Sequence, residues 1–173
     1  MKSLKLHPPQ RPRSRRIAGH AQLDHILDPY ALQQKPENGT RCPQCGVVFL
    51  EGRWAWPTAS NAPAAGELLC AACRRANENY PAGVVTLRGG FAREHKDELI
   101  RMARQQEAIE KQEHPMNRIM GVEDAADGVT INTTDIHLPR RIGEAIKRTW
   151  RGKFDVHFDE GGYFVRVDWT RER

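Results

Sequence analysis

The stretch CPQCGVVFLEGRWAWPTASNAPAAGELLCAAC, residues 42–73, holds every cysteine of the chain, in two C-x-x-C pairs: Cys42/Cys45 and Cys70/Cys73. A two-residue spacer lets one tight turn aim two sulfurs at one ion, and two such pairs supply the four tetrahedral ligands of a structural zinc site, with bonds of about 2.3 Å. Pro43 fixes the first turn, and Gly46 gives the positive φ that lets backbone N–H groups approach the second sulfur. The expected cofactor is therefore Zn2+ held by Cys42, Cys45, Cys70 and Cys73. Four thiolates close the coordination shell, which disfavours direct zinc catalysis, because a catalytic ion keeps an open position. Two disulfides are the secretory alternative. The opening residues MKSLKLHPPQRPRSRR are basic without the apolar core of a signal peptide, so a reducing, cytoplasmic compartment is expected instead. A redox switch competes, yet a thioredoxin-like pair needs a βαβ context and leaves the second pair unexplained.

Between the pairs, residues 47–50 read as a short apolar strand, Gly52 as a turn, and Trp54 and Trp56 point to one side of a second strand by their i, i+2 spacing. That side is expected to be the small core beside the metal, with an exposed base-stacking platform as the alternative. Residues 57–66 form a Pro/Ala/Ser loop. After Cys73 the residues favour a helix, stopped by Pro81 and Gly83, which gives a zinc-ribbon or treble-clef-like module. Arg53, Arg74 and Arg75 stand near the site in sequence, either to contact phosphate or to neutralise thiolate charge.

Charge is unevenly placed. Of the formal +5, all comes from residues 1–41, where eight Lys/Arg oppose three acids; the remainder is neutral. A pI near 9.2 thus points to nucleic acid through a tail rather than through the whole body. Arg11, Arg13, Arg15 and Arg16, among the prolines at 8, 9 and 12, belong to a segment that cannot bury a core; it reads as a disordered phosphate-binding arm or a solubilising tail. Mean hydropathy is −0.70. No apolar run approaches the ~20 residues needed to span a membrane.

The expected organisation is a basic tail over 1–40, a four-cysteine zinc module over 41–90 that includes a short strand over 81–90, a connecting helix over 91–115, and a C-terminal domain over 116–170. In that last domain, strands over 118–122 and 129–133 precede a helix capped by Thr134 or Asp135 and running to Trp150, and a hairpin turning at Glu160-Gly161-Gly162 follows. The fold class is α+β, with a β-β-α-β-β order and the helix covering one face of a sheet. Ile142, Ala145, Ile146 and Trp150 follow the helical spacing of a buried stripe. Arg140, Lys147 and Arg151, spaced by seven and four, share the exposed side and form the folded candidate for RNA contact.

CPQCG followed by W-x-W, LCAACRRANENYPAGVVTLRG, EHPMNRIM and TTDIHLPRRIGEAIKRTW together resemble a family of small, uncharacterised bacterial zinc proteins. The cysteine region and final α/β segment are similar to parts of the large-ribosomal-subunit export adaptor of archaea and eukaryotes. The resemblance covers roughly residues 41–169, and the chain lacks that adaptor's further cysteine pairs and β domains. It implies a zinc module plus a small domain suited to ribosome or RNA contact, without catalytic activity. No enzyme motif opposes this: Arg88-Gly89-Gly90 has neither the Walker spacing nor its lysine, and no G-x-S-x-G elbow occurs. The expectation is a noncatalytic protein that binds RNA or a ribosomal surface. The alternative is a zinc-scaffolded adaptor for a protein partner, or a stress-responsive regulator without nucleic-acid binding.

Overall fold

The computed structural model describes residues 28–58, 65–159 and 162–173. Arg11, Arg13, Arg15 and Arg16 and the tip of the C-terminal hairpin lie outside those residues. The chain is mixed α and β, with two sheets and four helices among the described residues. The first sheet is small: β1 (Thr40–Arg41), β2 (Val48–Leu50), β3 (Arg53–Ala55) and β4 (Gly66–Glu67), in the order β3-β2-β1-β4. Helix α1 (Ala71–Glu78) follows and stops at Asn79 in the left-handed conformation, so the helix expected after the second cysteine pair forms.

The second sheet differs from its sequence expectation. Its strands are β5 (Gly83–Arg88), β6 (Ile119–Ala125), β7 (Gly128–Thr133), β8 (Lys153–Phe158) and β9 (Val165–Thr170), in the order β6-β7-β5-β9-β8. There are five strands, where the β-β-α-β-β reading has four. The strand read as part of the cysteine module is the central one, antiparallel to β7 and parallel to β9. Alternation along β5 and β9 sends Val85, Leu87, Val165, Val167 and Trp169 to one face, where they are fully buried. A strand with those residues on one side and Val84, Thr86, Arg166 and Asp168 on the other fits the middle of a half-covered sheet better than the edge of a small metal module.

Helices α2 (Gly90–Glu94), α3 (Lys96–Glu113) and α4 (Leu138–Thr149) all contribute to the core on the covered face, through Phe91, Ala92, Leu99, Ala103, Leu138, Ile142 and Ile146. The single helix expected over 91–115 breaks at His95, whose φ/ψ of −110°/25° separates α2 from α3. Helix α4 begins three residues beyond Asp135, whose carboxylate accepts the His137 and Leu138 N–H groups at 2.6 and 3.0 Å. Trp150 is half-buried against Phe91 rather than fully enclosed.

Residues 28–41 are ordered onto the body. Tyr30 is buried, Asp28 pairs with Arg75, and the Tyr30 hydroxyl donates to Glu78. The disordered-tail expectation therefore does not extend to this stretch, because an aromatic ring and a carboxylate both find partners on α1.

Candidate metal centre

Local backbone bonds make both cysteine turns. The Cys42 N–H donates to Val47 O at 2.8 Å and the Gly46 N–H to Cys42 O at 2.9 Å, which folds residues 42–47 tightly between β1 and β2, with Gly46 at φ 81°. Cys70 is the N-cap of α1, and its sulfur accepts the Cys73 N–H at 3.4 Å. The Cys70 N–H in turn donates to the Cys42 sulfur at 3.4 Å and ties the two turns together. A helix N-terminus, with its unpaired N–H groups and positive dipole end, eases ionisation of Cys70 and Cys73 without outweighing their burial.

All four sulfurs lie within 4.8 Å of one another; Cys42, Cys70 and Cys73 are buried and Cys45 half-buried. Cys45 Sγ and Cys70 Sγ are 3.7 Å apart, far too long for a disulfide, and the four cysteines are free thiols. Four sulfurs around an ion with bonds of about 2.3 Å stand about 3.8 Å apart along each tetrahedral edge. The observed separation fits that edge, so these residues can hold a tetrahedral metal ion.

Electrostatics differ among the sulfurs. Burial raises Cys42, yet N–H donation from Cys70, Cys45 and Gln44 outweighs it and brings the thiol down to about 6. Burial pushes Cys73 up to about 11, the Cys45 and Cys42 charges adding to it, and raises Cys70 as well. Like charges this close oppose one another's ionisation, and a bound dication removes that conflict by neutralising them together. A metal bound here acts as a cross-link between the β1–β2 turn and α1.

The residue that sequence reasoning missed is Arg118, just before β6. Its guanidinium donates to Cys45 Sγ at 3.2 Å and Cys73 Sγ at 3.5 Å, with Cys70 Sγ at 4.0 Å. Burial alone lowers the Arg118 pKa; the Cys45 hydrogen bond and the sulfur charges outweigh it, so the group stays cationic. Nε donates to Pro115 O at 2.5 Å, and the backbone N–H to Thr134 Oγ1 at 2.9 Å. Arg118 thus carries charge compensation from the second sheet to the metal centre. No local signal marks it, since it lies 45 residues beyond Cys73.

The arginines adjacent to the cysteines do other work. Arg75 is buried, pairs with Asp28, donates to Tyr80 O at 3.2 Å and stands among the rings of Tyr30, Tyr80 and Tyr163. Arg74 lies over Tyr30, and Arg53 is exposed. Trp54 belongs to the cysteine core with Val47 and Phe49. Trp56 is half-buried, donates its indole N–H to Lys111 O at 2.5 Å and has Arg118 at 5.8 Å from its ring, so it joins the module to α3.

The other predicted site residues fall in two places on α4. Arg140 is half-buried, bonds Glu144 at 2.7 Å and lines a cleft of about 520 Å³ with Glu110, Arg141, His114 and His137. Lys147 is exposed near the other end of the helix, 5.2 Å over the Phe154 ring, and Arg151 is exposed just past that end. Arg140 lies in the first turn of α4 and Arg151 two residues past its last, so the two stand at opposite ends of the helix.

Comparison with family models, curated proteins and solved structures returned no match. Among the described residues, no helix is long and apolar enough to cross a membrane.

Proposed function

We propose that the chain is a noncatalytic zinc protein of a reducing, cytoplasmic compartment, in which a four-cysteine, treble-clef-like module is clamped to an α/β sheet that contacts RNA or a ribosomal surface. The observation that carries the zinc reading is the closed sulfur cluster with Arg118 lying against it. A soft all-thiolate set favours zinc over harder ions, and the guanidinium occupies the side a catalytic ion would keep open. RNA contact is supported by α4, which buries Ile142 and Ile146 while exposing Lys147 and Arg148, with Arg151 beyond its end. The basic run Arg11, Arg13, Arg15 and Arg16 adds a second cationic element. The resemblance to small zinc proteins, and in part to a ribosomal export adaptor, is consistent with this role.

Elemental analysis of freshly purified full-length protein tests the metal: one zinc per chain is expected, and substoichiometric metal with four reactive thiols and an intact fold overturns it. Purification from the native cell at low salt tests the partner. Ribosomal subunits or rRNA in the eluate support the reading, and a single defined protein without RNA replaces it with the adaptor.

A further inference from the structure

Three segments far apart in sequence meet at one end of the five-stranded sheet, and each brings cations. Arg88 ends β5, Arg151 and Lys153 flank the entry to β8, and Arg171 follows β9. Strand register sets both Arg88 and Lys153 opposite Thr170. The approach is backbone to backbone. The Arg171 N–H donates to Arg88 O at 3.1 Å and the Phe91 N–H to Arg171 O at 3.2 Å. A β-carbon on Gly89, at φ 99°, would stand 2.2 Å from the Arg171 carbonyl oxygen, and one on Gly152 would stand 2.9 Å from the Thr170 oxygen. Gly89 in the Arg88-Gly89-Gly90 run, without the spacing of a nucleotide loop, thus permits this close backbone approach.

Lys147 and Arg148 on the last turn of α4 extend the same end. Carboxylates share this end without balancing its cations: Asp168 pairs with Arg88 and Asp155 with Lys153, each at 3.6 Å, and Glu172 Oε2 accepts the Gly90 N–H at 3.4 Å. Among the described residues neither Arg148 nor Arg151 is held in an ion pair, and both are exposed. Two phenylalanine rings lie at this end: Phe91 has His95 stacked at 4.1 Å and the Arg171 guanidinium at 4.0 Å, and Phe154 is half-buried against α4 with Lys147 5.2 Å over its ring. Trp169 is buried and Trp150 packs on Phe91.

Single-stranded nucleic acid is held by bases stacked on open aromatic rings, whereas double-stranded RNA is held through phosphates and shape. We propose, resting on the RNA reading above, that this cationic sheet end binds the phosphate backbone of double-stranded RNA.

The test uses the full chain and fluorescence anisotropy across a salt series, with an RNA duplex of about 16 base pairs and a single strand of equal phosphate count. Arg88→Gln/Arg151→Gln/Lys153→Gln is compared with Lys35→Gln/Arg53→Gln/Arg101→Gln, which removes the same charge from exposed positions elsewhere. The sheet-end triple is expected to bind the duplex about tenfold more weakly, with a salt slope reduced by about 2–3, close to one unit per lost phosphate contact. The control triple should stay close to wild type, and the single strand should bind more weakly than the duplex. Equal losses in both triples, an unchanged sheet-end triple, or a single strand bound as tightly as the duplex each overturn the proposal while leaving RNA binding intact. Displacement of the duplex by polyglutamate at equal charge assigns the surface to an acidic protein and overturns it too. A wild-type chain that binds neither RNA overturns the parent reading itself.

Discussion

Arg118 and Asp135 are the two side chains whose surroundings differ most from what their positions in sequence indicate. The Arg118 fork spans two sulfurs and reaches toward a third, which a lysine ammonium on a single stem cannot reproduce. Arg118→Met should therefore weaken metal binding by about 10–100-fold, the usual range for partners that bond to metal ligands, with Arg118→Lys in between. Competition against a graded series of chelators measures this, and a wild-type affinity in Arg118→Met would show the guanidinium to be a bystander. Asp135 is buried, its Oδ1 has no hydrogen-bond partner among the described residues, and its Oδ2 accepts the two N–H groups that start α4. Burial raises its pKa, the N–H groups and His137 only partly offsetting this, and Glu110 adds to the rise. A carboxyl raised on folding favours the folded state in its protonated form. That contribution is whole below the ordinary aspartate value of about 4 and is lost as pH rises through the folded value. Asp135→Asn keeps an acceptor for the cap and removes the charge, so thermal melts should show higher stability at neutral pH and a flatter profile above about pH 4. A neutral-pH melting temperature below wild type would show instead that the ionised carboxylate holds the cap.

At the scale of elements, local pattern identified what local physics decides. The i, i+3, i+4 spacing of Ile142, Ala145 and Ile146 marked the buried stripe of α4, and the alternation of Val165, Val167 and Trp169 marked β9, since each depends on neighbours within one or two turns. The four cysteines were legible because metal chemistry imposes their spacing. What sequence could not show is partner choice over distance: GVVTLR of β5 looks the same whether it pairs beside the cysteine turns or between β7 and β9. Arg118 was hidden for the same reason. Trp150 fits the stripe by spacing, yet it sits at the helix end, where the sheet no longer encloses it, and it is half-buried. Ile146→Ala should consequently cost about 2–5 kcal/mol in urea denaturation, the range for emptying an enclosed aliphatic site, and Trp150→Ala should cost less than that of a fully buried aromatic. Gly143 sets two effects against each other. Alanine in a helix interior gains about 1 kcal/mol over glycine, but a β-carbon here would stand 2.5 Å from Phe154 Cε2 and 2.6 Å from Val167 Cγ1. Overpacking of that kind costs about 1–3 kcal/mol, so Gly143→Ala should destabilise on balance despite its propensity, and a rise in urea midpoint would refute the close fit of α4 on β8 and β9.

At the scale of the molecule there are two cores of unequal strength. One, around Val85, Ile131, Ile142, Val167 and Trp169, is continuous beneath three helices; the other, around Val47, Phe49 and Trp54, is completed by the cysteines themselves. They meet through Arg118 on the sulfurs, Trp56 on α3 and Arg75 near Tyr163. Four-thiolate sites in small modules bind zinc with about 10–16 kcal/mol, comparable to the whole stability of about 5–15 kcal/mol of an ordinary domain. The smaller core, with few apolar residues, is expected to depend on a bound ion, whereas the larger one has no cysteine in it. Chelation should therefore open residues 40–78 and leave the sheet folded. Hydrogen exchange on the full chain would show fast exchange across β1 to β3 and α1, and at Arg118 and Ile119 where β6 loses its hold on the sulfurs, with β5, β7 and β9 still protected. Loss of protection throughout at one chelator concentration would mean that the metal holds both cores as one cooperative unit, and unchanged protection in β1 to β3 would mean that the cysteine core is stable without it.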